Sequence, residues 1–219
     1  MYVNDEVLKS LYELTELPTI MPRYNIAPVQ PVGVVRANRD RHVREFLYTV
    51  WGLIPAFAKQ ADFKYASNNA RAETISEKAS FRSSFRHHRC LIPASGFYEW
   101  QGKQPYHFTM ADGSPISLGG ITATWHSDDG SILETCAIIT TQANELMAPI
   151  HDRMPVIIQP EHFERWLDPE RQLPRLVSDL LAPVPAEMLC KQAANPLVNS
   201  VKYEGADLLA PAPIQGSLF

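Results

Sequence analysis

The stretch Arg89–Met110, "RCLIPASGFYEWQGKQPYHFTM", contains three short runs of aliphatic, aromatic and β-branched residues. The runs are "RCLIPA", "GFYEWQ" and "YHFTM", and the "GK" between the last two is typical of a tight hairpin turn. Two more runs, "ISLGGITATW" and "TCAIITT", follow the turn sequences "ADG" and "SDDG". Strands joined by such short turns pair in antiparallel order. We therefore predict a mainly antiparallel sheet with a barrel-like core.

The rest of the chain adds further strands and a few helices. Additional strands are predicted at Val32–Ala37 and Val43–Trp51, around the turn "NRDR", and at Val156–Ile158. Helices are predicted at Asn4–Leu17 with Asn4 as N-cap, at Phe81–His88, at "QANELM" capped by Thr141, and at Pro160–Leu167. Strand pairs with helices that do not alternate regularly predict an α+β fold. We interpret residues 1–219 as a single domain.

The composition is typical of a globular protein in the cytoplasm. The chain has 219 residues, of which 45% are hydrophobic and 20% charged. It contains no apolar run long enough to span a bilayer, and its first twenty residues do not fit a signal peptide. Its three cysteines, Cys90, Cys136 and Cys190, have no C-x-x-C spacing, so neither a disulfide framework nor a zinc ribbon is indicated.

The net charge of −4 excludes a generic electrostatic binder of DNA. A nucleic-acid site would have to be a local basic surface. The segment 82–89, "RSSFRHHR", is one candidate, although a solvated helix face explains it equally well.

Four polar clusters stand at the ends of predicted strands. They are "PRYNIAP", with Arg23 and Asn25; "NNARAET", with Asn69, Arg71 and Glu73; "GFYEW", with Glu99; and "IHDRMP", with His151, Asp152 and Arg153. Taken one at a time, each has a structural explanation. Asn25 could bond backbone in a turn, Glu99 could point outward from a strand, and Arg153 could pair with Asp152 in a turn.

Taken together, these clusters resemble the SOS-response-associated peptidase family, whose members process abasic sites in single-stranded DNA. The matching segments are "RYNIAP", "WGLIP", "NNARAET", "RCLIPASGFYEW", "AIITTQAN", "IHDRMPVI" and, more loosely, "NPLVNSVKYEG". They occur in family order from residue 23 to residue 204, and a match at seven separated segments is specific.

The resemblance implies a mechanism and a set of residue roles. Family members expose an N-terminal cysteine that condenses with the aldehyde of an abasic site and closes a thiazolidine, leaving a DNA–protein crosslink. Asn69 would position that cysteine, Glu99 would shuttle protons during imine formation and methionine removal, and His151 would assist opening of the sugar ring. The DNA-binding set would be Arg71, Arg153, Arg23, Asn25 and, as an aromatic wedge beside the lesion, Phe57.

The resemblance also implies the partners. We expect single-stranded DNA with abasic sites as the substrate, no cofactor, no metal and no membrane contact. We expect a monomer that is cytoplasmic and associates with the nucleoid when it acts on DNA.

The sequence departs from the family pattern at its start. The family opens with Met-Cys-Gly-Arg and then Phe or Tyr, whereas this chain begins Met1-Tyr2-Val3, so Tyr2 matches the aromatic and the Cys-Gly-Arg segment is missing. Cys90 and Cys136 lie in apolar, strand-like segments and Cys190 lacks motif support, so none replaces the missing nucleophile. Either crosslinking has been lost, or the natural protein starts differently.

Three functions follow as hypotheses. The first is abasic-site crosslinking through an N-terminal cysteine. The second is a non-catalytic protein that binds single-stranded or junction DNA. The third is a thiol-type peptidase acting on other proteins, which is disfavoured because the chain contains no G-x-S-x-G or H-E-x-x-H motif and no cysteine in a catalytic context.

Overall fold

A computed structural model describes residues 4–38 and 43–210 of the chain. Its helices are α1 (Asp5–Tyr12), α2 (Arg82–His87) and α3 (Phe163–Leu167). Its strands are β1 (Pro31–Asn38), β2 (Val43–Trp51), β3 (Asn69–Arg71), β4 (Arg89–Ala94), β5 (Phe97–Gln101), β6 (Gln104–Met110), β7 (Ile116–His126), β8 (Ile132–Gln142), β9 (Arg153–Pro155) and β10 (Leu189–Ala193). Short 3₁₀ turns occupy parts of the C-terminal region.

Five strands close into a barrel. Four of the strand pairs, β2–β1, β1–β4, β4–β7 and β7–β8, are antiparallel, and a parallel pairing of β2 with β8 closes the ring. One face of these strands contributes buried residues such as Val34, Cys90 and Cys136 to one apolar cluster. The other face contributes Val35, Leu91 and Ile121 to a second cluster that includes residues of the helices. The α+β class with a mainly antiparallel, barrel-like core, predicted from the strand runs and turns, is confirmed.

Strand β8 is paired along both edges, and this arrangement brings distant segments together. On one edge it pairs with β2 through Trp51 and then with β3, where Arg71 lies opposite Thr140. On the other edge it pairs with β7 and then with β9, where Pro155 lies opposite the same Thr140. The segments that contain "NNARAET" and "IHDRMP" therefore flank one strand.

A second, three-stranded sheet has the order β10–β6–β5. Phe97 of β5 stacks on Phe108 of β6 with ring centroids 5.2 Å apart, and both belong to the apolar cluster that includes barrel residues. Side chains of a strand alternate between its faces. Tyr98 therefore lies on the opposite face, where it packs with Tyr24 and the C-terminal segment.

Arg89, the first residue of β4, joins the barrel to two helices. Its guanidinium is buried and donates to the carbonyl oxygens of Phe85 (2.9 Å) and Arg86 (3.3 Å) at the end of α2. It also donates to those of Trp166 (2.7 Å) and Asp168 (2.9 Å) at the end of α3. The last carbonyls of a helix lack partners within the helix, so one cation caps both helices.

Helix α1 is shorter than predicted. Asn4 is its N-cap, as predicted, and its side-chain oxygen accepts a hydrogen bond from the backbone N–H of Glu6 (2.7 Å). The helix ends at Tyr12 because Glu13 takes a left-handed conformation (φ 54°) and its N–H returns to the carbonyls of Lys9 and Ser10.

Two other predictions of secondary structure are wrong. No helix forms over residues 142–147, because β8 continues to Gln142 through its pairing with β9, and turns follow. The strand predicted at Val156–Ile158 lies three residues earlier, as β9, and Ile157 makes an isolated bridge to Leu118. Most of the predicted turn "NRDR" lies outside the described residues.

Across residues 4–38 and 43–210, none of the helices has both the length and the apolar character needed to cross a bilayer.

We predict that Arg89→Met lowers the stability of the protein by about 3 kcal/mol or more, because four carbonyls, two of them in buried hydrogen bonds, lose a charged donor. For a chain of this size the melting temperature should fall by about 6–12 °C. The control is Arg82→Met, which changes an exposed arginine at the start of α2 and should cost less than about 0.5 kcal/mol. Thermal unfolding followed by circular dichroism measures both, and equal melting temperatures for the two variants would contradict the capping role.

Candidate active site and nucleic-acid interface

Glu99 occupies the middle of β5 at the edge of the small sheet. Because it shares a face with Phe97, its side chain is on the side of the sheet that packs against the barrel. Burial raises the pKa of this carboxyl above its ordinary value, His151 and a backbone interaction with Trp100 oppose the rise, and Asp152 adds to it. Glu99 is therefore easier to protonate than an ordinary surface glutamate.

His151 lies in the loop between β8 and β9 and is exposed. The backbone N–H of Arg153 donates to its Nδ1 atom (3.0 Å). The Arg153 carbonyl (3.2 Å) and the Asp152 carboxylate (3.3 Å) also lie within reach of Nδ1, so this atom accepts or donates according to the tautomer. These contacts hold the ring by one nitrogen, and Nε2 lies on the other side of the ring.

Glu99 and His151 come together although 52 positions separate them in the chain. The side chain of Gln101, two residues after Glu99, donates to the carbonyl of Pro149, two residues before His151 (2.8 Å). The charges of His151 and Asp152 both act on Glu99, which places the three side chains within electrostatic reach of one another. Such a pair of titratable groups can give and take protons near neutral pH.

Asn69 and Arg71 are exposed on β3, with the buried Ala70 between them. The alternation of the strand places both side chains on its outer face, beside β8. The charge of Arg71 also acts on Glu73, so this cluster continues along the chain into the loop after β3.

Arg153 links this outer face to the loop of His151. Its guanidinium holds the carboxylate of Glu73 with two hydrogen bonds (2.7 and 2.9 Å) and donates to the carbonyl of Thr140 (2.6 Å). The pKa of Glu73 is lowered, first by the hydrogen bond from Arg153. The pairing of Arg153 with Asp152, considered from the sequence, is not formed; the Asp152 carboxylate instead lies 3.3 Å from His151.

The loop between β2 and β3 presents aromatic rings to solvent. Phe57, the predicted wedge, is 70% exposed. Tyr65, which the sequence reasoning missed, is 77% exposed, and the ammonium of Lys64 lies 5.7 Å from its ring centroid. The sequence feature that could have identified Tyr65 is an aromatic residue directly beside a lysine. Trp51 and Trp125 anchor the loop with indole N–H bonds to the carbonyls of residues 68 (2.9 Å) and 58 (2.7 Å).

Arg23 and Asn25, both predicted to bind DNA, contact the C-terminal segment. The Asn25 side chain is buried and donates to the carbonyls of Val198 (3.3 Å), Ser200 (3.1 Å) and Tyr203 (3.3 Å). Arg23 donates to the carboxylate of Glu204 (3.1 Å) and to Gln30 (2.9 Å). A direct contact of these two residues with DNA stays a prediction.

The cysteines differ in their exposure. Cys90 and Cys136 are buried, and burial raises the pKa of the Cys136 thiol to about 12 and that of Cys90 well above its ordinary value. Cys190 is exposed on β10. Buried thiols of such high pKa are poor nucleophiles at neutral pH. In the described parts of the chain no three His, Cys, Asp or Glu side chains form a group that could hold a metal ion.

Comparison with known proteins gives consistent matches. The family model described as SOS response associated peptidase (SRAP) matches residues 2–201. The abasic site processing protein YoqW of Bacillus subtilis is 39% identical over 193 residues, which are 86% of this chain and 85% of that protein. The abasic site processing protein YedK of Escherichia coli is 30% identical over 200 residues, 89% of this chain and 86% of that protein. A solved structure from Bacteroides thetaiotaomicron has a TM-score of 0.75 at 29% identity, covering 84% of this chain and 82% of that chain.

We predict opposite effects on stability from two glutamate-to-glutamine changes. The raised pKa of Glu99 contributes stability at low pH that is lost as the pH rises through the folded-state value. Glu99→Gln should therefore melt above the parent at pH 7.5, with the difference closing below about pH 4. The lowered pKa of Glu73 contributes stability at neutral pH that is lost as the pH falls.

Glu73→Gln is thus the matched control and should melt below the parent at pH 7.5, by a small amount because the carboxylate is exposed and screened. Melting temperatures from pH 3.5 to 8 test both. If Glu99→Gln melts below the parent at neutral pH, the ionised carboxylate is stabilised by its surroundings and the assignment of burial as the main cause is wrong.

Proposed function

The chain belongs to the SOS response associated peptidase (SRAP) family, and from this membership we propose that it processes abasic sites in single-stranded DNA. The relatives that support the proposal carry the name abasic site processing protein and align over most of their length. The residues proposed to carry the chemistry are Asn69, Glu99 and His151.

The observation that carries the proposal is the contact between β5 and the loop of His151, where Gln101 donates to the carbonyl of Pro149 (2.8 Å) and the charge of His151 acts on Glu99. Two proton-transfer groups from distant segments meet where a carboxyl is partly desolvated, beside an outer face that carries Asn69 and Arg71. Perturbed titratable groups gather at functional sites more often than elsewhere on a protein. Partial burial of Glu99 lowers stability when the carboxyl ionises, a local cost of the kind that functional sites carry.

Exposed side chains on β3 and on the loop before it suit single-stranded nucleic acid. Arg71 offers an exposed guanidinium for a phosphate, and Phe57 and Tyr65 offer faces on which unpaired bases can stack. Stacking on an aromatic face contributes roughly 1–3 kcal/mol per base and needs no particular base. Arg153 is bonded to Glu73, so we assign it first to holding the loop of His151 and second to phosphate.

The chemistry follows from the groups in place. The closed sugar of an abasic site must open to its aldehyde. The hydroxyl on the anomeric carbon gives its proton to water, the bond from that carbon to the ring oxygen breaks, and His151 can donate a proton to the departing oxygen. An amine then adds to the aldehyde carbon, and protonated Glu99 can donate to the hydroxyl that departs as water, leaving an imine. Where the amine belongs to an N-terminal cysteine, its thiol adds to the imine carbon and closes a thiazolidine.

The amine in this scheme is supplied by the chain's N-terminus. An α-amine has a reference pKa of about 7.7–8.0, against about 10.4 for lysine, so a larger share of it is uncharged and nucleophilic at neutral pH. A protein that starts at Met1-Tyr2-Val3 would offer an amine without a neighbouring thiol.

We predict that Arg71→Ala weakens binding to single-stranded DNA and flattens its salt dependence. Each phosphate contact on a single strand contributes about 0.7 to the slope of log affinity against log salt, so the slope should fall by about 0.7. The control is Arg175→Ala, an exposed arginine of the C-terminal region, which should leave the slope unchanged. Fluorescence polarisation at several salt concentrations measures both, and identical slopes for the two variants would remove Arg71 from the interface.

We predict that the chain as printed forms no heat-stable crosslink with an abasic single strand, and at most an adduct that borohydride must trap. A version with Cys-Gly-Arg inserted between Met1 and Tyr2 should form a stable crosslink. In that version Glu99→Gln should block methionine removal and Asn69→Ala should slow crosslinking. Denaturing electrophoresis with a labelled abasic oligonucleotide, together with intact mass, distinguishes these products.

Two outcomes would contradict the proposal. A stable crosslink from the printed chain would mean that the nucleophile has been placed wrongly. If the version with the inserted Cys-Gly-Arg binds abasic DNA without reacting with it, the second hypothesis, a DNA-binding protein without catalysis, would be favoured.

A further inference from the structure

Two segments far apart in the chain are bonded to each other on the outer face of the small sheet. Residues 23–25 and residues 198–204 form this contact, here called the latch. The side chain of Asn25 donates to three carbonyls of the second segment. In return, the carboxylate of Glu204 accepts the backbone N–H groups of Tyr24 (3.3 Å) and Asn25 (2.9 Å) and the guanidinium of Arg23 (3.1 Å).

The charge of Glu204 strengthens the latch. Partial burial raises the pKa of this carboxyl, but the Arg23 guanidinium and the two backbone N–H groups outweigh burial and hold the pKa below its ordinary value. Hydrogen bonds with an ionised acceptor are shorter and stronger than neutral ones. The carboxylate is thus ionised throughout the neutral range.

Each half of the latch also holds one neighbour of Glu99 in β5. The hydroxyl of Tyr98 donates to the carbonyl of Tyr24 in the first segment (3.2 Å). The indole N–H of Trp100 donates to the side-chain oxygen of Asn199 in the second segment (2.6 Å). The residues on both sides of Glu99 are therefore tied to two segments that are tied to each other.

We propose that Asn25 and Glu204 are positioning residues that hold β5, and with it the carboxyl of Glu99, against the barrel. Strand β5 lies at the edge of its sheet, and within residues 4–38 and 43–210 one of its sides pairs with no other strand. The latch supplies that restraint from the face opposite to Glu99. In this proposal Asn25 acts through β5, and contact with DNA is the alternative that the test below separates from it.

An apolar contact supports the same role. Tyr24 and Tyr98 pack against Val198 and Leu208, which are buried. His107, the cross-strand partner of Tyr98, is buried behind it with ring centroids 4.9 Å apart. Release of the latch would expose this cluster and let water reach β5.

The test compares Asn25→Ala, Glu204→Ala and Glu204→Gln with the control Glu187→Ala, an exposed carboxylate of the same C-terminal region. Carbon-13 NMR of the glutamate side chains follows the titration of Glu99, assigned by its loss in Glu99→Gln. In both Ala variants the midpoint should fall by roughly half a pH unit toward that of an ordinary glutamate, because water reaches the carboxyl. Glu204→Gln still accepts N–H groups and should shift less, in the same direction.

The second measurement rests on the proposed function and uses the version that carries Cys-Gly-Arg after Met1. The Ala variants should crosslink abasic DNA about tenfold more slowly, as expected when a catalytic group is misplaced. The dissociation constant for single-stranded DNA without an abasic site should stay within about twofold of that of the unsubstituted version. Failure of every version, including the unsubstituted one, to crosslink would refute the proposed function, and the NMR titration would still decide the role of the latch.

Two results would overturn the positioning role. One is a Glu99 midpoint that does not change in any of the three latch variants. The other is a loss of DNA affinity with an unchanged Glu99 titration, which would assign Asn25 to DNA contact. If an Ala variant does not fold, as judged by circular dichroism, the shift in Glu204→Gln relative to Glu187→Ala decides between the outcomes.

Discussion

The candidate site depends on the hydrogen bonding of β8 along both of its edges. The carbonyl of Thr140 accepts the backbone N–H of Ala72 (2.9 Å) from one side and the guanidinium of Arg153 (2.6 Å) from the other. A strand inside a closed barrel has its backbone groups satisfied by neighbours, which makes its position stable. Because β8 extends beyond its pairing with β2 and β7, it offers two free edges at one end, and β3 and β9 fill them.

Stability and reactivity are opposed at Glu99. A carboxyl that is half-buried beside the barrel lowers stability when it ionises, and the same desolvation keeps a larger share of it protonated and so able to donate a proton. Strong interactions in the surrounding structure offset this loss of stability. Examples are the two hydrogen bonds between Arg153 and Glu73 and the bonds between Asn25 and the C-terminal segment. Functional sites commonly combine a locally costly group with a rigid frame.

Local patterns were sufficient for most of the fold. Alternating apolar residues and short glycine turns predicted the strands from Arg89 onward, and the N-cap at Asn4 was found correctly. The helix over residues 142–147 was predicted wrongly because its composition favours a helix, whereas pairing with β9 extends the strand through Gln142. Long-range hydrogen bonds of this kind override local propensity and leave no periodic signal in the sequence.

The sequence by itself determined the class of the fold, the family and the residue types available for chemistry, because these depend on local pattern and on motifs that read along the chain. Only the tertiary structure decided which partners those residues have. Arg153 bonds Glu73 and not its neighbour Asp152, and Asn25 bonds the C-terminal segment. Glu99 lies within electrostatic reach of His151, although the two are far apart in the sequence. The physical reason is that pairing, burial and electrostatic coupling depend on distance in space, which barrel closure sets and residue order does not.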